Sequence, residues 1–157
     1  MINNEIIVKP VAYVQNPRSS LEDDHWGSVI SEIVLEKSFP EECFDGIETF
    51  SHVEILFYFD KISDKPRPLM SRHPRDNKDW PQVGIFAQRN KDRPNHIGLS
   101  IAKIIKREGR SLFVKGLDAV NGTPVIDIKP VMVEYLPQEP VTQPEWSHEL
   151  MKNYWDQ

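Results

Sequence analysis

Thirteen prolines, spread from Pro10 to Pro144, restrict the folds open to this chain of 157 residues more than any other feature. Proline lacks a backbone N–H and its fixed φ interrupts helices and central strands, so the chain is divided into short segments. Between the prolines recur short runs of β-branched and aromatic residues, which favour strands. The sequence therefore predicts a mainly β fold.

Seven segments are predicted to be strands, which suits a barrel or a sandwich. The segment Arg107–Arg110 is typical of a hairpin, and Asn121-Gly122 is typical of a type I′ turn, so both favour antiparallel pairing. A short helix is expected in residues 39–50, interrupted at Asp45-Gly46. Residues 61–82 are expected to form an active-site flap or a binding loop. The predicted strands are 6–14, 29–35, 53–59, 83–87, 100–106, 111–117 and 125–133.

The sequence from residue 137 is rich in proline, and residues 144–155 predict a short amphipathic helix. Its anchors would be Trp146, Leu150, Met151 and either Tyr154 or Trp155. The helix is expected to dock, and the sequence leaves open whether its partner is the same barrel or a second subunit.

Length and composition predict one domain over residues 1–157. No apolar run approaches the roughly 18 residues of a membrane span, and the beginning of the sequence lacks the pattern of a secretory signal. Cys43 is the only cysteine, so an internal disulfide is excluded, and the five histidines lie far apart. We expect a cytoplasmic protein without a membrane segment or a metal site.

The net charge of −5 argues at first against a nucleic-acid partner. Residues 61–93, however, hold nine Lys or Arg against four Asp or Glu, so this window is basic within an acidic chain. Such a run is either a solvated surface loop or a local patch that binds phosphates.

Two stretches concentrate polar side chains at predicted strand ends. In residues 84–100, Arg89 and Arg93 with Asn95 could bind a carboxylate or phosphate, or staple a surface hairpin through Arg–Asp pairs. In residues 116–130, Asp118 at a strand end could accept hydrogen bonds from a ribose or an amino group. Asp127 and Lys129 share a face and are read more simply as an ion pair.

Other chemistry has weaker support in the sequence. His52 follows Ser51, but adjacency does not make a catalytic triad, and a structural role fits a lone histidine better. The glycine fingerprint of a Rossmann site and the phosphate-binding P-loop are both absent from the sequence. A nucleotide-like cofactor would therefore need another kind of site.

Three ordered motifs resemble the TsaA-like family. The resemblance covers residues 6–137, with 138–157 as a tail, and implies a single small antiparallel β-barrel. It also implies S-adenosylmethionine (SAM) as cofactor, the anticodon arm of tRNA as partner, and a homodimer. The implied reaction is methylation of N6 of threonylcarbamoyladenosine at position 37. The motifs are Phe-Ser-His (50–52), Gly-Ile-Phe-Ala-Gln-Arg (84–89) with Arg-Pro-Asn-His-Ile-Gly-Leu-Ser (93–100), and Gly-Leu-Asp (116–118) with Asn-Gly-Thr-Pro-Val-Ile-Asp-Ile-Lys-Pro (121–130).

The resemblance also implies particular site residues. Arg89 would bind the methionine carboxylate, Asp118 or Asp60 the ribose or amino group, while Leu99 and Phe59 would form walls around adenine. His52, Asp118 or a water would accept the proton. The full cofactor set is His25, Trp26, Gly27, Phe59, Asp60, Arg89, Leu99, Lys115, Gly116, Leu117 and Asp118, and the substrate set is Arg72, Arg75, Arg93, Asn95 and Lys129.

Two departures from the family pattern affect the substrate more than the cofactor. Asp60 stands where a histidine is found in the family, and Val131 follows Lys129-Pro130 where tyrosine is common. Two alternatives therefore stay open beside the tRNA methyltransferase. One is a SAM-dependent methyltransferase of small molecules, and the other is a SAM-binding module without catalysis.

Overall fold

Six strands close into an antiparallel barrel in the order β1-β2-β7-β6-β3-β8 in this computed structural model, which describes residues 5–62 and 70–157. A separate two-stranded ribbon pairs β4 with β5. The strands are β1 (Ala12–Gln15), β2 (Ile30–Leu35), β3 (His52–Tyr58), β4 (Ser71–Arg72), β5 (Val83–Gly84), β6 (Ile97–Glu108), β7 (Ser111–Lys115) and β8 (Pro124–Pro130).

The barrel forms because its strands alternate buried and exposed side chains with the period of a pleated strand. In β3, Val53, Ile55 and Phe57 point inward and are buried. Facing strands contribute Ile33, Leu112, Val114 and Val125 to the same core. Gly98 of β6 lies opposite Phe57, and a Cβ there would come within 2.4 Å of the Phe57 ring. The absence of a side chain at residue 98 therefore makes room for the Phe57 ring inside the barrel.

The predicted barrel is confirmed, but the expectation of about seven strands was one too many for its wall. Residues 83–87 form the short strand β5 and a 3-10 turn (Ile85–Ala87) outside the barrel, because the side-chain amide of Gln88 holds the Arg72 and Val83 carbonyls there. The first strand begins at Ala12 rather than residue 6, since residues 5–9 are exposed and Pro10 has no N–H to donate. Strand β6 is longer than predicted because it pairs with β3 and then with β7.

Short helices lie outside the barrel wall. The expected helix in residues 39–50 is two 3-10 turns, Glu41–Phe44 and Ile47–Thr49, separated where Gly46 adopts a positive φ of 83°. Further 3-10 turns are Pro74–Asp76 and Val133–Tyr135, and the tail carries α1 (Glu145–Met151). Across residues 5–62 and 70–157, no helix is long and apolar enough to cross a bilayer. The central part of the predicted flap, residues 63–69, lies outside the described residues.

The hairpin predicted at Arg107–Arg110 is confirmed, with Gly109 at a φ of 54° between β6 and β7. A turn is also present at Asn121-Gly122, with Gly122 at a φ of 85°, but it is not of type I′, because Asn121 does not have a positive φ. The antiparallel hairpin expected there is not formed, because the strands that flank the turn, β7 and β8, are not neighbours in the barrel.

Candidate functional site

One end of the barrel, called the mouth here, is formed among the described residues by 16–29, 59–62, 70–96 and 116–123. Strands β7 and β8 stand on opposite sides of the six-stranded ring, so residues 116–123 must cross the opening. Leu117, Ala119 and Val120 of this crossing are buried and close the barrel interior. The polar side chain between them, Asp118, is only partly buried.

Asp118 lies between the barrel wall and the tail. One carboxylate oxygen accepts a hydrogen bond from Ser100 Oγ, and Ser100 is a buried, inward-facing residue of β6. The other oxygen accepts from the Tyr154 hydroxyl at 2.5 Å. Burial, together with the Asp118 charge and hydrogen bond, raises the pKa of Tyr154 well above its usual value. The phenol therefore stays protonated and acts as a donor.

Asn16, the residue that follows β1, holds the crossing segment 116–123 in place through its hydrogen bonds. Its side-chain amide donates to the Ala119 carbonyl at 2.8 Å and to Ser31 Oγ at 2.9 Å. Its backbone N–H donates to the Asn121 side-chain oxygen at 3.1 Å. Gly116 begins the crossing at a φ of 80°, a conformation that suits glycine. Asp118 is thus presented on a segment anchored on both sides.

Arg18 organises the neighbouring loop of the mouth. Its guanidinium lies 3.7 Å from the centroid of the buried Trp26 ring. It also donates to three backbone carbonyls of the same loop, at 2.8 Å (Glu22), 2.7 Å (Asp24) and 3.0 Å (His25). The predicted residues His25, Trp26 and Gly27 therefore sit at a defined place, with His25 at a positive φ of 65°.

The tail docks on its own barrel beside this loop. The backbone N–H groups of His25 and Trp26 donate to the carbonyls of Asn153 and Tyr154 at 3.2 and 2.8 Å. A Cβ built on Gly27 would lie 1.8 Å from the carbonyl oxygen of Trp155. The sequence left open whether the tail docks on the same barrel or on a second subunit. In the structure residues 153–155 dock on the same barrel.

A second contact holds the tail helix farther from Asp118. The Trp80 indole N–H donates to the Glu149 carboxylate at 2.7 Å. The rings of Trp80 and Trp146 lie 6.4 Å apart. Helix α1 is therefore attached to the segment between β4 and β5.

Arg89 and Leu99 are brought together, but through the backbone of Leu99. The Arg89 guanidinium donates to the Leu99 carbonyl at 2.5 Å, and Arg89 is otherwise exposed. The Leu99 side chain faces outward, on the opposite side of the wall from the neighbouring Ser100. Phe59 packs partly buried against Phe57 with ring centroids 5.2 Å apart, while Asp60 is exposed.

Most of the predicted substrate-binding residues make intramolecular contacts near the mouth. Arg72 pairs with Asp92 at 2.8 Å. The Arg75 guanidinium contacts both carboxylate oxygens of Asp24 at 2.7 and 3.1 Å. Burial would lower the pKa of Arg75, but its bonds and charge contacts with Asp24 outweigh that and raise it. Arg93 donates to the Gln88 carbonyl at 2.9 Å, and Asn95 is exposed.

His52 and Lys129 lie on a different surface from Asp118. His52 alternates with the buried Val53 and faces outward at the start of β3, with its ring 2.7 Å from Ser51 Oγ. Lys129 stands opposite Glu54 on the outer face, and its ammonium is hydrogen-bonded to Asp127, which raises the pKa of Lys129. The structure therefore separates both residues from the mouth.

Four residues that hold Asp118 and its neighbours were not predicted as site residues: Asn16, Arg18, Ser100 and Tyr154. Tyr154 was named only as an anchor of the tail helix, and its aromatic neighbourhood gave no indication of a contact with Asp118. Within residues 5–62 and 70–157 the structure shows no group of three or more His, Cys, Asp or Glu placed to hold a metal.

Comparison with known proteins shows similarity over most of the chain. Residues 15–136 match the family model of the tRNA-methyltransferase O N-terminal domain. A human tRNA (adenine(37)-N6)-methyltransferase is 40% identical over 114 residues, covering 73% of this chain and 25% of that protein. A probable S-adenosyl-L-methionine-binding protein of Methanothermobacter thermautotrophicus is 35% identical over 136 residues, covering 83% of this chain and 93% of that protein.

The fold is similar to that of a solved protein of comparable sequence. The crystal structure of TrmO from Pseudomonas aeruginosa superposes with a TM-score of 0.73 at 26% identity, covering 91% of this chain and 62% of that chain. The chain thus spans about a quarter of the human relative and less than two thirds of the solved one.

Proposed function

We propose, from the fact that this chain belongs to the tRNA-methyltransferase O N-terminal domain family, that it binds SAM at the mouth of the barrel and methylates tRNA. The observation that carries the proposal is Asp118, held on a rigid crossing segment beside the glycine-containing loop 25–27. The methyl acceptor we propose is N6 of threonylcarbamoyladenosine at position 37, in the cytoplasm.

The residues of the mouth fit the chemical groups of SAM. A carboxylate such as Asp118 accepts hydrogen bonds from ribose hydroxyls or an amino group, while the exposed guanidinium of Arg89 suits the methionine carboxylate. The backbone N–H groups of His25 and Trp26 point toward the same region as Asp118, since all three contact the tail. Gly27 and Gly116 add no side chain, which allows close approach to the backbone.

SAM supplies an electrophilic methyl group on a sulfonium, so transfer needs no covalent enzyme intermediate. The acceptor nitrogen forms a bond to the methyl carbon while the carbon–sulfur bond breaks, and the nitrogen then loses a proton. A water at the mouth is the proposed acceptor of that proton, because Ser100 engages one oxygen of Asp118 and SAM would engage the other. His52 is not retained in this role, because it lies on the outer face of β3.

The tRNA contact is assigned to exposed cations near the mouth rather than to the predicted Arg72 and Arg75. Those two arginines are engaged by Asp92 and Asp24, so they stabilise the loops that flank the mouth. Lys78 is exposed in the same region, whereas Arg89 is assigned to the methionine carboxylate of SAM. Support for tRNA as partner comes from the mammalian relatives named tRNA (adenine(37)-N6)-methyltransferase.

A SAM-binding protein without tRNA methylation is the second candidate. It is favoured by the archaeal relative, which this chain covers over 93% of its length and which is named a probable SAM-binding protein. The engagement of Arg72 and Arg75 by carboxylates also leaves fewer cations for RNA. Under this candidate SAM affinity is retained, while salt-sensitive tRNA affinity is absent.

A homodimer is the proposed assembly, and the outer face of β6 is its proposed interface. Ile97, Leu99 and Ile101 lie in a row there, each between 40% and 47% exposed. A row of large apolar side chains on an outer sheet face is unusual for a surface in contact only with water. Ile101→Glu should shift the protein toward monomer in sedimentation velocity, whereas Val141→Glu, at an exposed position of the tail, should not.

The function is tested by incubating the protein with labelled SAM and with tRNA from cells that lack it, followed by mass spectrometry of the nucleosides. A methylated threonylcarbamoyladenosine supports the proposal, and SAM binding without any methylated nucleoside supports the second candidate. Asp118→Asn should lower SAM affinity by about tenfold or more, because it removes a charged acceptor. Asp127→Asn, a matched change on the outer face, should leave that affinity unchanged.

A further inference from the structure

We propose that residues 153–155 occupy the SAM site and that SAM binds only when this part of the tail is released. The proposal rests on the proposed function, because it uses the same mouth residues. It goes further by assigning the tail as a competitor for the site. The tail would thereby set the affinity for the cofactor.

The tail already uses the hydrogen-bonding groups that a ligand of the mouth would need. One Asp118 oxygen is bonded to Ser100 of the wall, and the other is bonded to the Tyr154 hydroxyl. A ribose hydroxyl or an amino group can take that second oxygen only after Tyr154 leaves it. The N–H groups of His25 and Trp26 are likewise taken, by tail carbonyls.

The tail also fills the space that two glycines leave open. At Gly27 the tail backbone is so close that a Cβ would meet the Trp155 carbonyl oxygen at 1.8 Å. At Gly116 the nearest atom to such a Cβ is a ring carbon of Trp155, at 3.8 Å. The Trp155 backbone and ring therefore cover both glycines, so a bound ligand cannot lie against either one until the tail moves.

Tyr154 resembles a nucleoside in its chemistry at this position. It places an aromatic ring beside a hydroxyl that donates to a carboxylate, as adenosine places its base beside ribose hydroxyls. The raised pKa of Tyr154 keeps this hydroxyl protonated into the alkaline range. The tail thus presents a donor of the same kind to the same acceptor.

Release of the tail does not require the barrel to open. The buried core cluster among the described residues is built from the barrel, its connecting loops and the 3-10 turn at Phe44, with no member from residues 145–157. Helix α1 has seven residues, too few to be stable without the surface it packs on. Its contacts with Trp80, a hydrogen bond from Trp80 to Glu149 and a ring contact with Trp146, lie outside the proposed cofactor residues.

The test compares variants of the full chain that loosen the tail from two different places. Tyr154→Phe removes the donor to Asp118 while keeping the ring, and Glu149→Ala removes the distant contact with Trp80 without touching the mouth. Tyr135→Phe is the matched control, because Tyr135 is exposed and lies outside the tail. SAM affinity is measured by titration calorimetry, and amide hydrogen exchange is followed in residues 25–27 and 153–156.

Tyr154→Phe should bind SAM about tenfold more tightly than the unmodified chain, since a hydrogen bond to a charged group no longer holds the site closed. Glu149→Ala should bind it several-fold more tightly, and Tyr135→Phe should show no change. Adding SAM should speed exchange in residues 153–156 and slow it in residues 25–27.

Two results would overturn the proposal in different ways. If SAM binds with equal or lower affinity to Tyr154→Phe and Glu149→Ala, the tail is not a competitor, although the proposed function stands. If no variant binds SAM even when exchange shows a released tail, the proposed cofactor site is wrong, and competition for it is wrong as well.

Discussion

The two ends of the barrel use arginine in the same way but differ in what the arginine supports. At the far end, Arg110 donates to the carbonyls of Phe39 at 2.6 Å, Glu36 at 2.7 Å and Leu35 at 3.3 Å. At the mouth, Arg18 makes three such bonds to its own loop. Each arginine replaces the regular backbone pairing that an irregular loop lacks.

The two ends differ in the residues that lie beside the Arg110 and Arg18 hydrogen bonds. The far end is bounded by the β6–β7 hairpin and by two 3-10 turns, and Arg107 there is bonded to Asp45 on the surface. The mouth instead holds Asp118, with one oxygen bonded to the wall and the other to a segment outside the barrel. An arginine network alone therefore indicates loop stability, whereas a carboxylate shared with a separable segment indicates a binding site.

Removing either arginine should have the largest effect on stability. Arg110→Ala and Arg18→Ala should each lower the free energy of unfolding by about 3 kcal/mol. At Arg110 three partly buried hydrogen bonds to carbonyls are lost, and at Arg18 three such bonds, two of them exposed, are lost together with the contact on the buried Trp26 ring. Arg18→Ala should also lower SAM affinity by about tenfold or more, since the position of residues 25–27 depends on it. Urea unfolding and calorimetry, carried out where both variants are folded, measure the two quantities.

The arginine comparison fails if Arg110→Ala weakens SAM binding as much as Arg18→Ala does. Arg18→Lys separates charge from geometry, because lysine keeps the positive charge but lacks the planar fork that reaches several carbonyls. We expect Arg18→Lys to behave more like Arg18→Ala than like the unmodified chain.

Substituting Gly98 or Gly27 by alanine should have an intermediate effect on the free energy of unfolding. Gly98→Ala should lower the free energy of unfolding by about 2 kcal/mol, because its Cβ would press on the Phe57 ring inside the barrel. Gly27→Ala should lower it by less than about 1 kcal/mol, since the tail can move away where the core cannot. Hydrogen exchange of residues 153–156 should become faster in Gly27→Ala alone. Equal destabilisation by both changes would show that the tail is as firmly held as the core.

The sequence predicted the strands of the barrel wall better than the segments of the mouth. The wall was predictable because a pleated strand buries every second residue, and β2, β3 and β7 were placed to within two residues. Residues 83–87 have the composition of a strand but end in a turn held by Gln88, a contact that local pattern does not contain. A turn at Asn121-Gly122 was predicted correctly, but its type I′ conformation was not, and which strands it joins depends on the closure of the barrel.

The candidate site was predictable only in part. Asp118, Arg89 and residues 25–27 were identified by resemblance, and the structure places them around one end of the barrel. The contact between Asp118 and Tyr154 joins residues 36 positions apart, and no periodicity predicts it. Arg72 and Arg75 were predicted to bind the substrate, and their pairing with Asp92 and Asp24 was missed because charge patterning gives the sign of a side chain but not its partner.

The smallest expected effect is the response of the docked tail to alkaline pH. Burial and the charge of Asp118 raise the pKa of Tyr154 above its unfolded value of about 10. Its contribution to docking is therefore complete below pH ~10 and is lost as the pH rises toward the folded-state value. Tyrosinate absorbance should show one late-titrating residue, and tryptophan fluorescence should report release of Trp155 over the same pH range.

Three variants identify the source of the late titration. Tyr154→Phe should abolish it, while Tyr135→Phe should leave it in place. Asp118→Asn should move it to lower pH, because the neighbouring negative charge that disfavours the phenolate is removed. Burial is the larger cause of the raised pKa, so part of the shift should persist in Asp118→Asn. A late component that survives in Tyr154→Phe would belong to another tyrosine. It would contradict the proposal that Tyr154 is held against Asp118 at the mouth.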